Sequence, residues 1–293
     1  VALVVVTSAS PGAGKTGVAT AIARHYAYQG RPVRLARTAS PEGHAADDAA
    51  LFANLPFAPG SPASTISPAD ARDPGGAEIL VVEADLESAA QIADAIVVFV
   101  ARGERPAKAP EGISPAVIIT TGVPAALVQP PVEEEGKPLT IDLPEDRLLA
   151  GFSIEELQRR LNAQVLVEGD VPYDETIDSL VIAPFGSDAG EPYLRRFPNK
   201  AVVVRYDRTD MHLAAIRADA RVLVLTGGRR PSDYSFDAAG ARGVPMLLSL
   251  TDTENTVIAL EGIYEATRFQ GERKLDRMVE LLEDTPLFRS LEL

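Results

Sequence analysis

The sequence predicts an α/β protein in two modules, and three observations predict it. Short unbroken runs of β-branched and aliphatic residues, beginning with Val1–Thr7, have the pattern of strands buried on both faces. Between them lie segments with apolar residues at helical spacing, and clusters of Gly, Pro and Ser separate the two kinds. Strands alternating with helices need crossover connections, which produce a parallel sheet covered on both faces.

In the first half, Lys15–Gln29 carries Val18, Ile22 and Tyr26 on one helical stripe, and Gly30 stops it. Pro32–Ala36 reads as a second strand and Ala45–Asn54 as a second helix. Phe57–Gly76, rich in Pro, Ser, Ala and Gly, reads as a long surface loop. Glu78–Glu83, Ala95–Val100 and Ala116–Thr121 complete the strands. In the second half, Ser153 with Glu156 forms a capping box before a helix lined by Ile154, Leu157 and Leu161. Gln164–Val167 and Leu180–Ala183 are short strands; Ala201–Arg205, Arg221–Leu225 and Val244–Ser249 are stronger ones, each followed by a helix. Lys274–Glu283, with Leu275, Met278, Val279 and Leu282 on one side, reads as a packing helix, within the chain in the first place and at a dimer contact as the alternative.

Composition narrows the function. The 293 residues carry 28 Lys and Arg against 42 Asp and Glu, a net charge of −14. That balance argues against a nucleic-acid binder, which needs a basic footprint, and against an anionic membrane surface. No apolar run approaches the roughly 20 residues that span a bilayer, and Val1–Val6 lacks the basic flank of a signal peptide. The expectation is a cytoplasmic protein with no nucleic-acid or membrane partner. The absence of cysteine removes disulfides, thiolate metal sites and thiol nucleophiles. His25, His44 and His212 show no metal-ligand spacing and no Ser-His-Asp arrangement.

The most specific chemistry lies between the first strand and first helix, at Ser8-Ala9-Ser10-Pro11-Gly12-Ala13-Gly14-Lys15-Thr16. A phosphate-binding loop needs small residues so that backbone N–H groups converge on phosphate oxygens. It also needs a lysine to reach the outer phosphates and a hydroxyl able to ligate Mg²⁺. The helix start adds the positive end of its dipole. Ser10, Pro11, Gly12, Ala13, Gly14, Lys15, Thr16 and Gly17 are the candidate nucleotide contacts, with Lys15 the candidate catalytic residue, expected to be exposed on the loop. Ala9 stands where the usual spacing has its first glycine. A triphosphate-bound Mg²⁺ also wants carboxylates near strand ends. Glu83 and Asp85 offer two that would share a side of a continuing strand, and Asp47-Asp48 offers two at a helix start.

These residues resemble the dethiobiotin synthetase-like branch of P-loop proteins, in the version fused to the N-terminus of long phosphate acetyltransferases. The matching pieces are Val6–Thr16, Gly30–Arg37, Asp48–Leu51, Val81–Glu83 and Ile118–Pro124. The resemblance implies ATP and Mg²⁺ as cofactors, Lys15 on the β- and γ-phosphates, and Thr16, Asp48 and Glu83 on the metal. Where dethiobiotin synthetases carry an acid in the loop, a Lys-Pro after the second strand and a glycine-rich run after the Glu, this chain has Ser10, Arg37-Thr38 and Ala84–Glu87. Thr120 or Thr121 takes the place of their adenine-reading Asn. These departures argue against biotin biosynthesis and leave Arg37 as an anion contact or a surface arginine.

The second half resembles a DRTGG domain, carried by Asp207-Arg208, Thr226-Gly227-Gly228, the Asp252-Thr253…Thr256 helix start and the leader Leu143–Leu149. Asp207, Arg208, Thr226, Gly227 and Gly228 form a possible ligand site, since two glycines leaving a strand let the backbone approach a ligand or a neighbouring chain. The resemblance implies regulation and a homodimer or higher homo-oligomer. The expected fold class is therefore a parallel-sheet P-loop NTPase-like domain over 1–148 and a smaller α/β DRTGG-like domain over 149–265, with a helical tail over 266–293. Acetyltransferase activity is not expected of this chain. Two functions follow: an ATP- and Mg²⁺-binding regulatory protein with little or slow ATPase activity, or an ATP-dependent ligase that activates a carboxylate or carbamate by phosphoryl transfer. A scaffold whose altered loop no longer binds nucleotide is the third possibility.

Overall fold

The computed structural model describes residues 1–41, 44–183, 187–264, 267–291 and 293. The chain forms two compact units, Val1–Asp146 with Lys274–Leu293, and Arg147–Arg273. The helical tail groups, from Lys274 onward, with the first unit. The boundary expected at 265/266 lies outside the described residues.

The first unit runs β1 (Ala2–Thr7), α1 (Lys15–Tyr28), β2 (Val33–Arg37), α2 (Ala45–Ala53), β3 (Ile79–Glu83), α3 (Leu86–Gln91), β4 (Ile96–Arg102), β5 (Val117–Val123) and β6 (Leu139–Pro144). All six strands are parallel, in the order β2-β3-β1-β4-β5-β6. Alternate residues serve opposite faces: Val5, Leu80 and Val82 enter one core cluster with Ala71, Ala89 and Ile92. Val6, Glu83 and Arg37 stand abreast across β1, β3 and β2, so their side chains share a face. Val18, Ile22 and Tyr26 of α1 are all buried, and each apolar side chain so removed from water contributes about 2 kcal/mol. The Phe57–Gly76 segment holds only a short 3-10 turn, Asp70–Arg72, but it is not all surface: Ala58 and Ala71 are buried, and Ile66 bridges Thr38.

One element was not marked as a strand by the sequence. Leu139–Pro144, whose last two residues open the leader Leu143–Leu149, is the sixth strand of the first sheet, paired with β5 from Val117↔Leu139 to Val123↔Pro144. The charge of Asp142 inside it is compensated by Arg105 Nε, 2.8 Å away, and by the backbone N–H of Gln129 at 3.1 Å.

The second unit begins with α4 (Arg147–Ala150), β7 (Phe152–Ser153), α5 (Ile154–Leu161), β8 (Gln164–Val167), β9 (Thr176–Ile177) and β10 (Ser179–Ile182). It continues through α6 (Ser187–Leu194), β11 (Lys200–Arg205), α7 (Thr209–Arg217), β12 (Val222–Thr226), α8 (Asp233–Ala241), β13 (Met246–Leu248) and α9 (Thr253–Leu260). Its sheet has the order β10-β11-β12-β13-β8, parallel except for β8, and β7 pairs β9 separately. Val202, Val204, Leu223 and Leu225 pack against Met211 and Ala215 of α7, whereas Ala201, Val203, Val222 and Val224 pack against Phe152, Leu157 and Leu260. This two-residue alternation makes the strands apolar on both faces. The capping box is present: Ser153 Oγ accepts from Glu156 N at 3.1 Å, and Ser153 N donates to Glu156 Oε2 at 2.8 Å.

Two helices close the chain, α10 (Glu272–Glu283) and α11 (Leu287–Leu291). Within the first unit they meet α1: Arg24 pairs with Asp276 at 2.5 Å, His25 with Glu283 at 2.7 Å, and the His25 ring stacks on Phe288 at 3.6 Å. No helix among the described residues is long and apolar enough to cross a membrane.

Candidate functional site

In open α/β sheets, ligands gather beyond the carboxyl ends of the strands, where successive connections leave in opposite directions. Here β1 is flanked by β3 and β4, so the Ser8–Gly14 loop sits at such a point. Gly12 (φ +71°) and Gly14 (φ +96°) adopt left-handed backbone that favours glycine. Gly14 caps α1 without a side chain, and no acid occupies the first turn, so the helix start keeps its positive character. Ser10, Pro11 and Gly12 are exposed, while Ala13 and Gly17 are buried beneath the turn.

Lys15 is not exposed on the loop, as the sequence led us to expect. It is the first residue of α1, only 5% exposed, and its Nζ donates to Ser8 Oγ at 2.9 Å. Ser8 in turn donates to the carbonyl of Ser10 at 2.7 Å, linking lysine and loop. Burial of the ammonium is compensated by the Ser8 hydroxyl and by the charge of Glu83, which is distant in sequence.

Glu83 ties the rest of the cluster together. Thr16 Oγ1 donates to Glu83 Oε1 at 3.3 Å. Arg37, 1% exposed, places Nε 3.6 Å from Glu83 Oε1 and 3.7 Å from Asp48 Oδ2. Its Nη1 donates to the carbonyls of Thr38 and Glu83 at 3.3 and 3.4 Å. Arg37 is therefore a buried ion-pair partner rather than a surface arginine. Burial pushes the Glu83 carboxyl up to about 7, against the pull of Arg37; Asp48 adds to the rise, while Lys15 and the Thr16 hydroxyl oppose it. Asp48 faces Arg37 and Asp47 points to solvent near His44. Asp85 does not continue the strand beside Glu83: it caps α3, accepting from Ser88 N at 2.8 Å.

Thr16, Asp48 and Glu83 supply oxygen donors only, the type a hard divalent cation takes. Glu83 Oε2 is buried and accepts no hydrogen bond, so one carboxylate oxygen remains available to an ion. These residues fit Mg²⁺. Among the described residues no group of three or more His, Asp or Glu side chains gathers as metal ligands. Phosphate oxygens and water would have to complete the shell. Two residues outside the motif also hold the loop: Thr121 Oγ1 donates to the Ala13 carbonyl at 2.7 Å, and Arg102 Nη1 to that of Gly12 at 3.2 Å. The neighbouring Thr120 hydroxyl is buried without a hydrogen-bond partner. Arg102 has no sequence signal, because it acts through a contact that only the sheet order creates, whereas Ser8 stands in the loop itself, seven residues before Lys15.

In the second unit the sequence-marked residues converge beyond β11 and β12. Asp207 is held by Arg205 through two 2.6 Å bonds, and Arg208 by Asp210 at 2.9 and 3.0 Å. These hydrogen bonds lower both carboxyls below the usual range. Thr226, fully buried, bonds Thr253 at 2.7 Å. The Gly227 and Gly228 N–H groups donate to the Thr251 and Ser249 carbonyls at 2.7 and 3.1 Å. The two glycines thus bring the backbone close to the loop after β13. Below them, His212 is wholly buried, with Nε2 3.0 Å from the Arg205 carbonyl and Nδ1 2.9 Å from Ser235 Oγ.

Comparison with known proteins bears on this unit. A solved structure of the CBS and DRTGG domains of the regulatory region of Clostridium perfringens pyrophosphatase, complexed with the activator diadenosine tetraphosphate, is similar at 16% identity with a TM-score of 0.34. The match covers 39% of this chain and 47% of that one, about half its length. Residues 156–263 match the model of the DRTGG domain family, and the chain contains a DRTGG domain there.

Proposed function

We propose that the first unit binds ATP with Mg²⁺ and that its occupancy is the input of a regulatory protein, with the DRTGG domain as the second module. The observation that carries this reading is the convergence of Lys15, Thr16 and Glu83 under a left-handed glycine turn at the start of α1. Lys15 would meet the outer phosphates, with loop N–H groups and the α1 start supplying further positive potential. Thr16, Glu83 and Asp48 would hold Mg²⁺, which when bound neutralises phosphate charge. Ser8 keeps the Lys15 ammonium directed into the loop before ligand arrives.

Two features favour regulation over the ligase alternative. A ligase needs an acceptor pocket, and Arg37, its only marked anion contact, is buried against Glu83 and Asp48. The other is the DRTGG domain itself, at residues 156–263. The test is calorimetric titration of the full chain with ATP, GTP and ADP, with and without Mg²⁺, followed by a turnover assay. Magnesium-dependent ATP binding with slow hydrolysis supports the reading; rapid turnover with a carboxylate acceptor, or no nucleotide binding, overturns it.

A further inference from the structure

The buried cation at the candidate metal position has a consequence of its own. Arg37 lies within ion-pair distance of both Asp48 and Glu83, which with Thr16 are the oxygen donors available to a divalent ion. Arg37 is anchored there by register: it stands abreast of Glu83 across β2 and β3, and its Nη1 bonds the carbonyls of Glu83 and Thr38. A guanidinium and a divalent ion sharing two carboxylates repel each other in a low-dielectric site. Mg²⁺ also demands short, near-octahedral contacts to those same oxygens. A phosphate, by contrast, attracts a guanidinium strongly and with bidentate geometry.

We propose that Arg37 is the resident counter-cation of the Asp48–Glu83 pair, that it keeps divalent metal out of the nucleotide-free site, and that nucleotide phosphate draws it away. Nucleotide then binds before, or together with, the metal. This last step rests on the reading that the site takes ATP; the exclusion of metal does not.

The experiment is a Mn²⁺ titration of the full chain without nucleotide, with free Mn²⁺ read by electron paramagnetic resonance. Wild type shows only weak surface binding. Arg37→Gln gains a site at least ~10-fold tighter, and adding Asp48→Asn to that variant removes it. Equal Mn²⁺ affinity in wild type and Arg37→Gln overturns the proposal, because a water-bridged ion would then tolerate the guanidinium. Circular dichroism establishes that the variant folds. If it does not, the wild-type melting temperature decides. Mn²⁺ alone leaves it unchanged, whereas Mn²⁺ with a non-hydrolysable ATP analogue raises it beyond the analogue alone. Stabilisation by Mn²⁺ alone as large as with the analogue contradicts the proposal. An analogue without effect, alongside a gained Mn²⁺ site in Arg37→Gln, would remove the ATP reading and leave the role of Arg37 standing.

Discussion

Thr121, near the end of β5, donates its hydroxyl to the carbonyl of Ala13, 2.7 Å away, and so pins the turn that leads into α1. Its methyl group lies 3.3 Å from where a Cβ on Gly14 would stand, and Gly14 has φ +96°. One side chain therefore both holds the loop and crowds its last position, where the left-handed backbone already favours glycine. Thr121→Val keeps the shape and removes the bond; it should cost about 1 kcal/mol of stability and weaken ATP binding measurably in calorimetry. Unchanged affinity would show that the loop holds its form without Thr121.

Lys15→Ala should lower ATP affinity by roughly 30- to 150-fold, the equivalent of one charge-assisted hydrogen bond of about 2–3 kcal/mol. Because Lys15 is buried near Glu83, this variant should also melt at a lower temperature than wild type. Lys15→Met, which restores much of the packing, should recover part of the melting temperature and none of the affinity.

Asp48→Asn keeps the size of the side chain and removes its charge. It should weaken ATP binding ~10-fold in the presence of Mg²⁺ and by less than ~2-fold without it. Equal losses in the two titrations would take Asp48 out of the metal site.

The glycines of the DRTGG domain are steric rather than interchangeable. A Cβ on Gly228 (φ +64°) would stand 2.9 Å from the Leu250 carbonyl oxygen, whereas Gly12 (φ +71°) has nothing within 4 Å. Gly12→Ala should cost about 1 kcal/mol from backbone strain alone, and Gly228→Ala about 2–3 kcal/mol because backbone must shift as well. Denaturant unfolding of the two variants checks the ranking.

His212 should make stability depend on pH. Its Nε2 faces a carbonyl and must carry the proton, so Nδ1 accepts from Ser235. Burial holds the ring below its usual 6.5; the Arg205 carbonyl, Asp210 and Asp207 pull it upward and Arg208 downward. A histidine depressed in the folded state is protonated more readily when unfolded. Its contribution is therefore present above about pH 6.5 and lost as pH falls through the folded value. The melting temperature should drop between about pH 7 and pH 5, and His212→Gln should flatten that slope.

Much of this architecture could be read from residue order. The β-branched runs predicted five strands of the first sheet, and the Gly-Lys-Thr sequence marked the turn between β1 and α1. What escaped reading depends on partners far along the chain. Leu139–Pro144 hides as a strand because Asp142 and Pro144 interrupt it, and Arg105 compensates the acid only once the sheet has formed. Lys15 reads as solvated until Glu83, 67 residues beyond Thr16, is brought beside it. Arg37 reads equally as an anion contact or a surface group until strand register sets it abreast of Glu83. Likewise, the polar side of α1 at Arg24 and His25 shows no reason for itself until Asp276 and Glu283 arrive from the other end of the sequence.

The central claim, that Lys15 and its loop form an ATP site, is tested most directly by calorimetric titration of wild type and Lys15→Ala with ATP in the presence of Mg²⁺. The account predicts saturable binding by wild type, weaker without Mg²⁺, and a loss of roughly 30-fold or more in the variant. Wild type that binds no ATP, or a Lys15→Ala variant that binds as tightly as wild type, would contradict it.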